Sequence, residues 1–214
     1  SAANVYTANN CIITVNAGVN LSIPAGTVVK FGGATSGMKV LGALAVTGGA
    51  GQKVIFTSYK DDSAGGDTNN DGASAGAAGD WYGIVVSAGG QANIDQAIIR
   101  YGGAYAFNGE LNGWNRAQLD VINAPLTLTN SEISSGTTRG LYLEGTGLTP
   151  VVQNTAITNN VDVNTGNHLG YAIYQSTLNM QPTYSGLTFS GNDRNQAVID
   201  IANLTQDVTL GGAP

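Results

Sequence analysis

The feature that most constrains this chain is a recurring five-residue unit built around one apolar anchor. Asn130-Ser131-Glu132-Ile133-Ser134, Asn154-Thr155-Ala156-Ile157-Thr158 and Gly186-Leu187-Thr188-Phe189-Ser190 align position for position, and Gln96-Ala97-Ile98-Ile99-Arg100 is an earlier member. The anchors Ile99, Ile133, Ile157 and Phe189 are spaced by 34, 24 and 32 residues. A period in the low twenties with occasional surplus fits a coil of three short strands and three turns. Extra residues bulge out at a turn and leave the stack intact. Surplus is expected at 103–116 in the first interval and at 161–168 in the third.

Between the anchors lie second strands at 83–86, 119–122, 140–143, 172–174 and 198–201, each apolar or alternating over three to five residues. Strands this short gain stability by stacking on the coil above and below. No segment holds a 3.6-residue period over ten residues, so helix should be scarce. Composition agrees. Charged residues are 10 % of the chain, against about 25 % in ordinary soluble domains. Gly supplies 31 of 214 residues, which suits turns. Hydrophobic residues at 42 %, in regular short runs, exclude a disordered chain.

The first third reads as the same unit. Residues 20–31 give strand, Pro-Ala-Gly turn and strand, and 38–46 and 53–57 supply more. The run Ile23-Pro24-Ala25-Gly26-Thr27-Val28-Val29-Lys30-Phe31 resembles the opening coils of right-handed parallel β-helix domains, pectate-lyase-like solenoids of large bacterial extracellular and cell-surface proteins. So do Val54-Ile55-Phe56-Thr57-Ser58, Gly79-Asp80-Trp81 and Ile98-Ile99-Arg100-Tyr101-Gly102-Gly103. The resemblance covers about residues 20–160 and implies an all-β chain. The expected fold is one right-handed parallel β-helix over 1–214, of roughly seven short coils, with insertions at 61–80, 103–116 and 161–168. It also implies an extracellular or cell-surface location. It does not imply an activity, because lyases, hydrolases, tailspikes, adhesins and inert stalks share this architecture.

The formal net charge is −6 and the isoelectric point about 4.4. Lys and Arg total 8 and are scattered, which argues against nucleic acid and anionic membrane surfaces as partners. No run approaches the ~18 apolar residues that insertion in a membrane needs. Cys11, the single cysteine, sits in the strand-like run Cys11-Ile12-Ile13-Thr14-Val15 and is expected to be a small buried hydrophobe.

The sharpest local signal is acidic. Asp67-x-Asn69-x-Asp71-Gly72 matches the first half of a calcium-binding loop, in which alternate oxygen ligands wrap a hard cation and Gly permits the sharp turn. The Ala73 carbonyl falls at the backbone-ligand position. The bidentate Glu expected at loop position 12 is replaced by Ala78, so Asp80, or Asp61 or Asp62 folding back, is needed to complete the set. Structural Ca2+ is the expected cofactor, tying down an insertion that has little apolar material.

Catalytic patterns are weak. Gly72-Ala73-Ser74-Ala75-Gly76 reads as a nucleophile elbow, but it lacks the strand before and helix after that the motif needs. With one His and one Cys, far apart, no zinc site is expected. Outside the acidic loop no two carboxylates form a close pair on a strand, as β-helix glycosidases require. A calcium-dependent lyase of this fold needs a basic residue near the metal, and Arg100 is the nearest candidate. Regular Thr-x-Thr at coil spacing, the signature of an ice-binding face, is absent.

Binding fits better than catalysis. The insertion from Tyr101 to Arg116 carries Tyr105, Phe107 and Trp114 among amides and a carboxylate, a composition suited to sugar rings. Tyr142 and Tyr174 are 32 residues apart and are expected at the same height on successive coils. Trp81 reads as core. Neither end of the chain carries a helical cap, so the chain is expected to be a piece cut from a longer solenoid or to self-associate through open solenoid ends. The function these features predict is a noncatalytic structural or adhesion module, carbohydrate-binding or self-assembling. The alternative is a calcium-dependent polysaccharide lyase or glycoside hydrolase.

Overall fold

The computed structural model describes residues 4–111, 113–114, 117–163 and 169–200. The chain winds in successive coils. Coil 1 is β1 (Asn4–Asn9), β2 (Ile12–Val15) and β3 (Asn20–Pro24). Coil 2 runs its first two strands together as β4 (Thr27–Val40), then adds β5 (Ala43–Thr47). Coil 3 is β6 (Val54–Ser58), β7 (Trp81–Val86) and β8 (Gln91–Asp95). Coil 4 begins with β9 (Ala97–Arg100) and detours through the hairpin β10 (Phe107–Asn108) and β11 (Gly113–Trp114). It then resumes with β12 (Ala117–Ile122) and β13 (Leu126–Thr129). Coil 5 is β14 (Glu132–Ser134), β15 (Arg139–Glu144) and β16 (Val151–Gln153). Coil 6 is β17 (Ala156–Thr158), β18 (Tyr171–Gln175) and β19 (Thr183–Ser185), and β20 (Thr188–Ser190) and β21 (Arg194–Ile199) open a seventh.

Corresponding strands pair in parallel and form three rows. Row A is β1, the first part of β4, β6, β9, β14, β17 and β20. Row B is β2, the second part of β4, β7, β12, β15, β18 and β21. Row C is β3, β5, β8, β13, β16 and β19. Among the described residues only the β10–β11 pair of strands is antiparallel, and the only helix is one 3-10 turn, Gly109–Leu111. The protein is all-β, with parallel strands in a nearly closed, solenoid-like arrangement.

The anchors read from the sequence lie in one column. Tyr6, Val29, Phe56, Ile99, Ile133, Ile157 and Phe189 are direct partners from coil to coil in row A. Row B contributes Ile13, Met38, Ile84, Leu119, Leu141 and Ile173 in the same way. Row C contributes Ile23, Val46, Ile94, Leu128, Val152 and Tyr184. All of these but Tyr6, which is exposed, meet in a single apolar cluster. Trp81 is fully buried in it, stacked on Phe31 with centroids 4.4 Å apart. The indole N–H donates to the Arg100 carbonyl at 2.8 Å.

Left-handed residues make the corners. Gln96, Asn130, Asn154 and Gly186 each adopt positive φ just before a row A strand, and Tyr101, Ser135, Asn159 and Gly191 do so just after one. Asn and Gly tolerate this conformation best, which is why three of the four recurring units open on Asn or Gly, Gln96 opening the other. Cys11 corrects an expectation. Asn10 (φ 51) already turns the chain, β2 starts at Ile12, and Cys11 falls in the corner, where it is exposed.

Beneath the corner between rows A and B runs a chain of buried amides. Gln118 Nε2 donates to the Ser134 carbonyl at 3.0 Å and to Asn160 Oδ1 at 2.7 Å, and Gln118 Oε1 accepts from the Gly102 N–H. Asn160 Nδ2 donates in turn to Asn192 Oδ1 at 2.9 Å. A satisfied buried polar network of this kind fixes geometry. It gives the corner a rigid floor from coil 4 to coil 7.

Candidate functional site

All three insertions leave the stack at the same corner. Residues 61–80 join β6 to β7, 103–116 join β9 to β12, and 161–168 join β17 to β18, so each connects row A to row B. Exposed large hydrophobics follow the same logic. Among the described residues they are Tyr105, Val161 and Val163 on these insertions, and Tyr6 and Val19 on coil 1.

The first insertion is stapled to row A by two cations. Lys30, on β4, is fully buried and donates to the Gly66 carbonyl at 2.6 Å. Arg100, on β9, pairs with Asp61 at 2.6 Å. Ser63 donates to Asp61 Oδ1 at 2.6 Å, and Thr57 donates to Oδ2. Burial alone would raise the Asp61 pKa, but the hydroxyl donors Ser63 and Thr57, with Arg100, outweigh it and hold the carboxyl below its ordinary value of 3.8.

Beyond this staple the loop gathers carboxylates. Asp62, Asp67 and Asp71 place oxygens within 4.8 Å of one another. Backbone amides orient two of them. Asp67 accepts from Asn70 N at 2.7 Å and Gly72 N at 3.2 Å, and Asp62 Oδ2 accepts from Ser74 N at 2.7 Å. Asn69 Nδ2 donates to Asp71 Oδ2 at 2.7 Å. Two acceptors here, Asp62 Oδ1 and Asn69 Oδ1, are buried with no hydrogen-bond donor among the described residues. Converging carboxylates repel one another, and buried acceptors without donors are costly. Oxygen ligation of a hard cation relieves both.

The structure therefore brings together Asp62, Asp67, Asn69 and Asp71 from the sequence-derived ligand set. Asp61 is held by Arg100. Asp80 accepts from Ser58 Oγ at 2.6 Å and Ala77 N at 2.9 Å, and pairs with Lys60 at 3.3 Å. Ala73 is exposed and follows Gly72, which adopts φ +84°. Arg100, the nearest basic candidate for lyase chemistry, is committed to Asp61, and its guanidinium lies 5.4 Å from the Tyr101 ring centroid. A groove of about 410 Å3 adjoins the acidic cluster, lined by Tyr59, Lys60, Asn69, Asp71 and Asp80.

The second insertion covers the outer side of row B. Leu111 is fully buried against Tyr82 and Val85. Tyr82 Oη donates to the Leu111 carbonyl at 3.2 Å, and Asn108 Nδ2 to the Thr35 carbonyl at 2.8 Å. Tyr105 is 50 % exposed. The hairpin sets Phe107 opposite Trp114 along the backbone, and the side chains of these two lie outside the described residues. Leu111 carried no motif. Its signal was the partner strand: 81–86 is apolar on both faces, which calls for cover on both.

Tyr142 and Tyr174 are register partners on β15 and β18, and their rings stack at 5.7 Å with planes 7° apart. Tyr142 is 7 % exposed. The Arg139 guanidinium lies 4.4 Å from the Tyr174 centroid and 5.8 Å from that of Tyr171. Ring faces here meet each other and Arg139, leaving little face for a sugar to stack on. Tyr142 Oη donates to Glu144 at 2.8 Å, and Tyr174 Oη donates to Asp200. Burial, then the neighbouring Asp200 carboxylate, push the Tyr174 pKa up to about 12. Tyr171, which completes this cluster with Arg139, stood out in no sequence pattern.

No protein-family model, curated protein or solved structure matches the chain.

Proposed function

We propose that this chain is a right-handed parallel β-helix acting as a noncatalytic extracellular adhesion module, with a binding edge at its A-to-B corner and carbohydrate as the ligand class. The observation that carries this reading is the departure of all three insertions from that one corner. In repeat architectures, insertions confined to one side commonly make the binding surface. The corner offers the chemistry a glycan needs. Tyr105 is exposed on the second insertion, and a groove mixing Tyr59 with amide, amine and carboxylate groups lies beside the first.

Calcium belongs to this reading as a structural ion. Asp62, Asp67 and Asp71, with the Asn69 amide oxygen, would hold it. Bound there, it would neutralise the repelling carboxylates and stiffen the loop beside the groove. The polar groove walls Asn69 and Asp71 would then be set by the ion rather than by loop entropy.

A glycan array with and without a calcium chelator, followed by a product assay on each bound polymer, tests the proposal. Calcium-dependent binding with no chain cleavage is expected. Release of new reducing or unsaturated ends would instead establish the lyase or hydrolase, and absence of binding to any glycan would leave a scaffold.

A further inference from the structure

The outward face of row A changes character along the stack. Side chains alternate sides along a strand, so the neighbours of the inward Val29, Phe56 and Ile99 point away from the core. These neighbours include Val28, Ile55 and Ile98, register partners on coils 2, 3 and 4. The same column continues as Glu132, Ala156 and Thr188 on coils 5, 6 and 7. Its large aliphatic side chains therefore all lie on coils 2 to 4. Val28 is buried there, and Ile55 and Ile98 are half-buried.

Strands that are apolar on both faces call for cover on both. The first insertion supplies part of it through Ala64, which is buried. Beside Ala64 a groove of about 570 Å3 stays open over the column, lined by Val28, Ile55 and Ile98 and by Lys53 of the preceding turn. The wall made by the insertion is held in place. Arg100 pairs with Asp61 at 2.6 Å and donates to Ser63 Oγ at 2.8 Å, and Lys30 donates to the Gly66 carbonyl at 2.6 Å. Between these points Gly65 lies so close to Val5 that a Cβ would meet Cγ2 at 2.5 Å. The wall is thus tied to coils 1, 2 and 4, which makes the groove a preformed one.

The lining narrows what fits. Among the described residues that line the groove none is aromatic, so a sugar ring finds no face to stack on. In row A, β4, β6 and β9 are each paired on both sides, so an extended peptide finds no backbone edge to join. An aliphatic floor suits a hydrocarbon chain. From Val28 to Ile98 is two strand spacings, about 10 Å, the reach of an extended octyl chain. The charge at the groove is Lys53. It is half-buried, and its ammonium has no hydrogen-bond or ion-pair partner among the described residues. A partly desolvated cation without a partner favours an anion. An apolar lining with one charged group that fixes orientation is the usual make-up of a small-molecule site.

We infer that this groove binds an aliphatic carboxylate: the hydrocarbon lies over Val28, Ile55 and Ile98, and the carboxylate accepts from the Lys53 ammonium. Neither the calcium cluster nor a glycan takes part in it.

Titration calorimetry of octanoate into the 214-residue chain, with a calcium chelator present, tests it. One saturable site per chain is expected. Octanol keeps the hydrocarbon and lacks the charge, and should bind about 10-fold more weakly, the worth of one charge-assisted hydrogen bond. Lys53 has no partner to lose, so Lys53→Gln leaves the circular dichroism spectrum unchanged. It should weaken octanoate by about the same 10-fold and leave octanol unaffected. Ile55→Thr keeps the β-branched shape and should weaken both ligands. Nuclear Overhauser contacts from octanoate methylene protons to the methyl groups of Val28, Ile55 and Ile98 place the chain. Absence of binding, octanol matching octanoate, an affinity indifferent to Lys53→Gln, or contacts confined to other residues would each overturn the proposal.

Discussion

Asp61, at the root of the first insertion, is ion-paired with Arg100 of the following coil at 2.6 Å, so the loop of coil 3 is fastened to coil 4. Asp61 is 2 % exposed. Removing one partner of a buried pair leaves the other charge uncompensated, at a cost of about 3 kcal/mol. Arg100→Met is therefore expected to lower stability by about 3 kcal/mol in denaturant melts and to expose 61–80 to limited proteolysis.

The same pair sets an acid dependence. The folded Asp61 pKa lies below 3.8. Its stabilisation is complete above the unfolded value and drains away as pH falls through the folded one. Asp61→Asn should be less stable than the parent at pH 7, and the difference should shrink below about pH 4. Melts from pH 7 to pH 2 check this. A constant difference across that range would refute the role given to Asp61.

Calcium should raise the melting temperature. At a hundred-fold excess over its dissociation constant a ligand stabilises by about 2.7 kcal/mol, or about 5–10 °C for a chain of this size. Asp67→Ala and Asp62→Ala should abolish the shift, and Asp80→Asn should keep it, because Asp80 is engaged with Ser58 and Lys60. Titration calorimetry and thermal melts with chelator provide the readings.

Leu111 is expected to pin the second insertion. Leu111→Ala removes a fully buried side chain, which costs about 2–4 kcal/mol in well-packed sites. The loss should show as faster amide exchange across 103–111 and at Tyr82 and Val85.

Tyr174 offers a spectroscopic check on the stacked cluster. With its pKa at about 12, Tyr174 should resist ionisation in an alkaline ultraviolet titration, alongside Tyr184, whose burial also raises its pKa. Asp200→Asn should bring the Tyr174 transition to lower pH, since the carboxylate disfavours the phenolate.

The columns of the core were legible because they obey a short rule. Ile99, Ile133, Ile157 and Phe189 recur at one place in a unit that opens with a residue suited to left-handed backbone, and the structure sets them in register. The Asp67-x-Asn69-x-Asp71 spacing was legible for the same reason, being local. Asp62 joins it across a loop whose path no periodicity records. Asp61 was offered as a ligand because composition cannot show that Arg100 stands beside it, 39 residues away. Cys11 was misplaced by a single residue, since one left-handed Asn10 decides whether the strand has begun. Leu111 and Arg139 act through surfaces that exist only once the coils are stacked.

The shared corner has one more consequence. Successive coils advance about 4.8 Å along the stack, and the insertions sit on coils 3, 4 and 6. Their bases are therefore displaced along the axis by about 5 and 10 Å. Relocating an insertion to another coil would shift it along the axis by a whole step. The distance between loops is thus set digitally, by counting turns of backbone, and each loop is free to change its length without moving its neighbours.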